Sequence, residues 1–186
     1  TNDGTLYAIR KELYQEIPRA VTDDLFVCLS VILQYRRFLY DPNARAFMAS
    51  PSRDIDHEMR RRRRIVSTSL RSIFLSSEVL NPFKHGVVSW SLFFNKVLRR
   101  FVPLFMIALL PSNIILAFHH PVAQWTLYLQ CIFYFFALIY GVFLNQLPNI
   151  PIVTKLTSLP FYFCLGNYGT LLGLLDFARG KQISKW

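Results

Sequence analysis

Two short stretches carry most of the chemistry this sequence could perform. Thr22-Asp23-Asp24 sets two carboxylates side by side ahead of an apolar run, and Arg60-Arg61-Arg62-Arg63-Arg64 sets five guanidiniums in a row. A carboxylate within reach of a hydroxyl can act as a general base. The same groups at the start of a helix would complement its dipole, and Thr or Asp before an apolar-periodic run is a helix N-terminus signal. Taken alone, Thr22-Asp23-Asp24 reads as a cap. Asp54-Ile55-Asp56 and Glu58 read as the acidic opening of the helix that carries the arginines.

The arginines are harder to dispose of. Five consecutive residues at ~100° each sweep more than a full turn, so they cannot all share one solvated face. The apolar stripe Ile55, Met59, Val66, Leu70 and Ile73 passes through Arg62 or Arg63, which turns at least one guanidinium toward protein or a bound anion. Its planar fork suits a carboxylate or a phosphate. A solvated charge run is the plain reading, and the wheel makes it incomplete. Nucleic-acid binding would call for interleaved aromatics or a basic stripe, whereas carboxylates precede this run. A substrate's phosphate or diphosphate and an anionic headgroup are the other two uses.

The elements that must position these groups read as mixed α and β. Residues 5–10 predict a short strand, and Lys11–Ile17 a helical turn closed by Pro18. Leu25, Cys28, Val31, Ile32 and Tyr35 fall at helical spacing. Phe38–Asp41 and Ala44–Ala49 predict strands about the turn Asp41-Pro42-Asn43, and a long helix runs from near Ser52 through Phe74.

Composition separates this half from the rest. The chain has 186 residues, a net charge of +10 and 53% hydrophobic residues, 17 of the total being Phe. A disordered basic tail is excluded by that much apolar surface. Of the 21 Lys+Arg, 17 lie in residues 1–100, as do 10 of the 11 Asp+Glu, leaving four bases and one acid beyond. Cys28, Cys131 and Cys164 show no metal or disulfide spacing and read as small hydrophobes. Spans are expected at about 101–118, 122–144 and 159–177, each near the ~20 apolar residues that cross hydrocarbon. Within 87–100, Trp90, Phe93, Phe94, Val97 and Leu98 share one helical face opposite Lys96, Arg99 and Arg100, a pattern for a helix lying in the membrane interface. Three spans would put Arg179, Lys181 and Lys185 on the side opposite the basic first hundred residues, against the positive-inside tendency. Either that tendency is broken or one segment is re-entrant.

In this order, these residues resemble the C-terminal half of processive family 2 glycosyltransferases, the membrane synthases related to cellulose and hyaluronan synthases. Gly4-Thr5-Leu6-Tyr7-Ala8-Ile9-Arg10 looks like the strand lining the acceptor region. Thr22-Asp23-Asp24 stands where the family has Thr-Glu-Asp, and Arg61-Arg62-Arg63-Arg64-Ile65 where it has Gln-x-x-Arg-Trp. Leu80-Asn81-Pro82, the interface helix, the spans and the ending Ala178-Arg179-Gly180-Lys181-Gln182 with Trp186 also fit.

The resemblance implies an inverting transferase that moves a sugar from a nucleotide donor, such as a UDP-sugar, to a growing glycan. Asp24 would be the general base and Arg64 would stabilise the leaving diphosphate. Gly4, Thr22, Asp23, Arg61 and Ile65 would complete the substrate site, although Ile65 lacks the stacking face of the family's Trp. The implied fold is α/β plus transmembrane helices: the C-terminal part of a GT-A-like domain (1–86), an interfacial helix (87–100) and a membrane region (101–186). The family's nucleotide-binding strands, and the Asp-x-Asp that holds Mg or Mn, have no counterpart ahead of Thr22. The sequence is therefore expected to be a fragment, inactive alone, whose full enzyme sits in the inner membrane as a multi-pass protein with its catalytic part cytoplasmic. Nucleic acid is not an expected partner. The competing reading is a small non-catalytic membrane protein whose arginine helix binds anionic lipid.

Overall fold

The computed structural model of the chain describes residues 6–39, 41–45, 55–143 and 151–181. These residues are overwhelmingly helical, and no strand occurs among them. The expected α/β, GT-A-like domain is thereby overturned. Residues 6–10 and 38–39 lie in irregular backbone, and Lys11–Leu13 is a single 3-10 turn. Alternating hydrophobicity makes a segment compatible with a sheet, but a strand exists only when a neighbour takes up its N–H and C=O groups. No such ladder forms within the described residues. Gly4, Asp54 and residues 46–49 lie outside them.

The chain divides into two compact units, Thr1–Arg100 with Leu172–Trp186, and Phe101–Leu171. At the centre of the first is α1 (Asp23–Leu33), in which every residue from Leu25 to Val31 is buried. A helix apolar all round belongs inside a core. Leu25 and Leu29 of α1 meet Ile73 of α2 (Ile55–Leu75), Val79 of the 3-10 turn Ser77–Leu80, and Leu92 at the end of α4 (Val87–Leu92). Between these last two lies the single turn α3 (Pro82–His85), capped where Asn81 Oδ1 accepts from the Phe83 N–H at 3.0 Å. Gly86 ends it at φ +54°, a conformation L side chains rarely adopt. The buried Ser89 hydroxyl then lies 2.7 Å from Val79 O and 2.9 Å from Asn81 O, tying α4 to that turn.

From α4 the chain winds on through a π-helical turn (Phe93–Val97) and a 3-10 turn (Leu98–Phe101) into α5 (Val102–Ala117). Inserting a wider turn changes the phase of a helix. The single face expected for residues 87–100 is accordingly divided. Trp90, Phe93 and Phe94 are exposed, whereas Val97 packs on the core.

In the second unit, α5 and α6 (Pro121–Val142) form a hairpin, with Asn113 Nδ2 donating to Gln130 Oε1 at 2.9 Å. α7 (Pro151–Ala178) packs on α6 through Phe133–Phe163 and Tyr140–Phe161, ring centroids 5.6 and 5.3 Å apart. Two helical stretches, Val87–Ala117 and Pro121–Val142, are long and apolar enough to cross a membrane. Only 6% and 11% of their most apolar windows are buried, which argues against core helices of a water-soluble bundle.

Candidate functional site

Thr22 has the extended backbone of an N-cap, at φ −87° and ψ 113°, but its hydroxyl makes no capping bond. Instead its Oγ1 lies 2.8 Å from Thr68 Oγ1 on α2. The Thr68 hydroxyl donates its single proton to Arg64 O at 2.8 Å, so Thr22 donates to Thr68. Alongside, the Thr22 N–H donates to Ser72 Oγ at 3.1 Å, and Ser72 Oγ donates to Thr68 O at 3.0 Å. This relay fastens the start of α1 to the middle of α2. It joins the two motifs through residues about 46 positions apart in sequence.

Helix geometry then sorts the arginines. Arg61, Ile65, Thr68 and Ser72 stand at i, i+4, i+7 and i+11, one stripe of α2, and Arg64 flanks it one turn before Thr68. The N-terminus of α1 docks on this stripe, with Asp23 exposed and Asp24 half-buried in its first turn. Arg64 is half-buried, and Ile65 is exposed. Arg61 and Arg62 are exposed and share Glu58, at 3.6 and 2.7 Å. Such i,i+3 and i,i+4 pairs contribute only about 0.3–0.5 kcal/mol each.

Arg63 lies on the other side of α2, with Val66, Leu70 and Phe74 at i+3, i+7 and i+11. Its Nε and Nη2 donate to the two carboxylate oxygens of Asp176, the Nη2–Oδ1 bond being 2.7 Å. The Asp176 side chain is 2% exposed. Hydrogen bonding from Arg63 holds its carboxyl below the usual carboxylate range. Arg63 is thus the guanidinium that the apolar stripe required to point inward, and its partner is a carboxylate of the protein.

Asp176 is the site residue that sequence reasoning missed. By position alone it is the polar end of the apolar run 159–177. The available signal was its solitude, since it is the one acid in residues 101–186. A further basic contact comes from Arg100, whose Nη2 donates to Ser69 Oγ of α2 at 2.5 Å.

The site is open. Two grooves, of about 630 and 720 Å³, lie elsewhere, at Ile32, Arg36, Arg37 and Lys96 and at Ile9, Arg10 and Leu13. Neither is lined by Asp24 or the arginine run. Among the described residues no three His, Cys, Asp or Glu side chains gather as a metal site. No family model matches the chain, and no curated protein or solved structure matches it.

Proposed function

We propose that this chain is part of a membrane glycosyltransferase that passes a sugar from a nucleotide-sugar donor to a growing glycan. One observation carries the reading: the hydrogen-bond relay Thr22–Thr68–Arg64 brings the carboxylate motif and the arginine motif to one end of the α1–α2 pair. Asp24 is the base. As the acceptor hydroxyl attacks the anomeric carbon, Asp24 takes its proton and a new carbon–oxygen bond forms. The bond from that carbon to the donor's diphosphate breaks on the opposite face, inverting the centre. The electron pair leaves with the diphosphate, whose growing charge the Arg64 guanidinium stabilises, with Arg61 on the same stripe. Ile65 offers the acceptor ring van der Waals contact without a stacking face.

A divalent cation, held by residues outside this chain, would neutralise the donor's phosphates. On this reading the enzyme is an integral membrane protein with α1 and α2 on the cytoplasmic side, where nucleotide sugars are found; two helical stretches among the described residues, long and apolar enough to cross a bilayer, support its place in a membrane.

The test uses the full-length gene product in membranes. Asp24→Asn keeps the shape and removes the base, so transfer from labelled donor should fall by about 10²–10⁴-fold. Donor binding should change little. Undiminished turnover by this variant would remove Asp24 from the mechanism.

A further inference from the structure

We infer that Asp176 is a positioning residue for the arginine helix, acting through Arg63 to set which way α2 faces. This rests on the reading of Arg64 and Arg61 as the diphosphate site. Five successive arginines leave the azimuth of a helix undetermined by charge alone, because every rotation presents guanidiniums to a polyanion. Three contacts along one side of α2 remove that freedom. The planar fork of Arg63 is bound at both ends by the carboxylate of Asp176, which fixes direction as well as distance. One turn earlier on α7, Gly173 lies against the backbone of α2. A Cβ there would stand 2.7 Å from Arg63 O and 2.7 Å from Val66 Cβ, so only glycine permits the approach. Farther along α2, Phe177 meets Phe74 edge-on, ring centroids 6.3 Å apart.

Together these contacts hold the Arg63 side of α2 against the last turns of α7. Arg61 is displaced from Arg63 by ~200° around the helix and Arg64 by ~100°. With Arg63 committed to Asp176, these two positions stand on the side of α2 on which α1 begins, where Arg61 also meets Glu58 at 3.6 Å. Asp176 therefore divides the arginine run: it holds Arg63 on one side of α2 and leaves Arg64 and Arg61 on the side where α1 begins. Residues 101–186 hold no second acid to replace it.

Binding of inorganic pyrophosphate with magnesium tests this, measured by calorimetry on the detergent-solubilised full-length protein and normalised to the folded fraction. Arg64→Gln should weaken binding at least tenfold. Asp176→Asn and Gly173→Ala act by different means, one electrostatic and one steric. Both should weaken it by on the order of tenfold, as misaimed contacts do. The exchange Arg63→Asp with Asp176→Arg should recover most of the loss, since it restores the tie while leaving Arg64 untouched. Leu175→Ala, on the exposed side of α7, is the control expected to bind like wild type.

Wild-type affinity in folded Asp176→Asn and Gly173→Ala, even with a lower melting temperature, would reduce the pair to a stabilising contact and overturn the proposal. Failure of the exchange to restore binding would make Arg63 itself a ligand, with the same result. If Arg64→Gln binds as wild type does, the diphosphate reading falls, and the positioning role falls with it.

Discussion

Thr22 shows how one side chain can serve two elements. At the first residue of a helix its hydroxyl would ordinarily cap a backbone N–H, a contribution of ~1 kcal/mol. Here it reaches across to Thr68, which in turn bonds the carbonyl of Arg64. Thr68→Val keeps the volume but removes an acceptor and a donor together. It should destabilise the protein by about 1–2 kcal/mol, because two partly buried partners lose their bond. In a thermal-shift measurement that corresponds to a fall of roughly 2–8 °C for a chain of this size. If the proposed transferase reading holds, transfer should fall too, as Asp24 and Arg64 lose their common anchor. A Thr68→Val protein with an unchanged melting temperature would mean that the relay holds nothing in place.

At the scale of the element, α2 is the piece to explain. Its N-terminal half is charged on every side, yet its C-terminal half is buried from Val66 through Leu70 and at Ser72 and Ile73. Ser67, Thr68, Ser69 and Ser72 are buried within this stretch, and small side chains of this kind let neighbouring helices come close. The tie between Arg63 and Asp176 also gives α2 a pH dependence of known sign. Asp176 binds its proton less readily in the folded state than in the unfolded chain. Its contribution is therefore whole above the unfolded carboxyl value of about 3.9 and is lost as pH falls through the lower folded value. The gap in melting temperature between wild type and Asp176→Asn should be constant from about pH 7 to 5 and close below about pH 4. A gap that persists unchanged in acid would show that the carboxylate charge is not what holds Arg63.

For the whole molecule, the same ion pair bears on topology. Residues 172–178 belong to the compact unit of residues 1–100. On the membrane reading, a chain that leaves that unit at Phe101 and rejoins it at Leu172 is expected to cross a bilayer an even number of times. Among the described residues two helical stretches meet the length and hydropathy a span requires. This arrangement agrees with the positive-inside tendency, which three spans would break at Arg179, Lys181 and Lys185. A green fluorescent protein fused after Trp186 should fluoresce in the cytoplasm, and alkaline phosphatase at the same place should stay inactive. Active phosphatase would place the tail outside and require an odd number of crossings.

Much of this was legible in the residues. The start of α1 at Asp23 followed from Thr22 and the spacing of Leu25, Cys28 and Val31. The two stretches able to span followed from runs without charge, because hydrophobic length is a local property. That one arginine of the run must turn inward followed from 3.6 residues per turn. The strands expected at 5–10, 38–41 and 44–49 failed in every part that is described, since a strand depends on a partner and no local pattern supplies one. Which arginine turns inward, and toward what, needed the tertiary structure. Asp176 lies 113 residues from Arg63, and only the packing of Gly173 on the backbone of α2 brings the lone acid of the apolar half to a half-buried cation of the polar one. The sequence determined which residues could do chemistry and which could enter a bilayer. Which of them turn toward the protein was decided by the fold, because the direction a side chain faces depends on what its helix packs against.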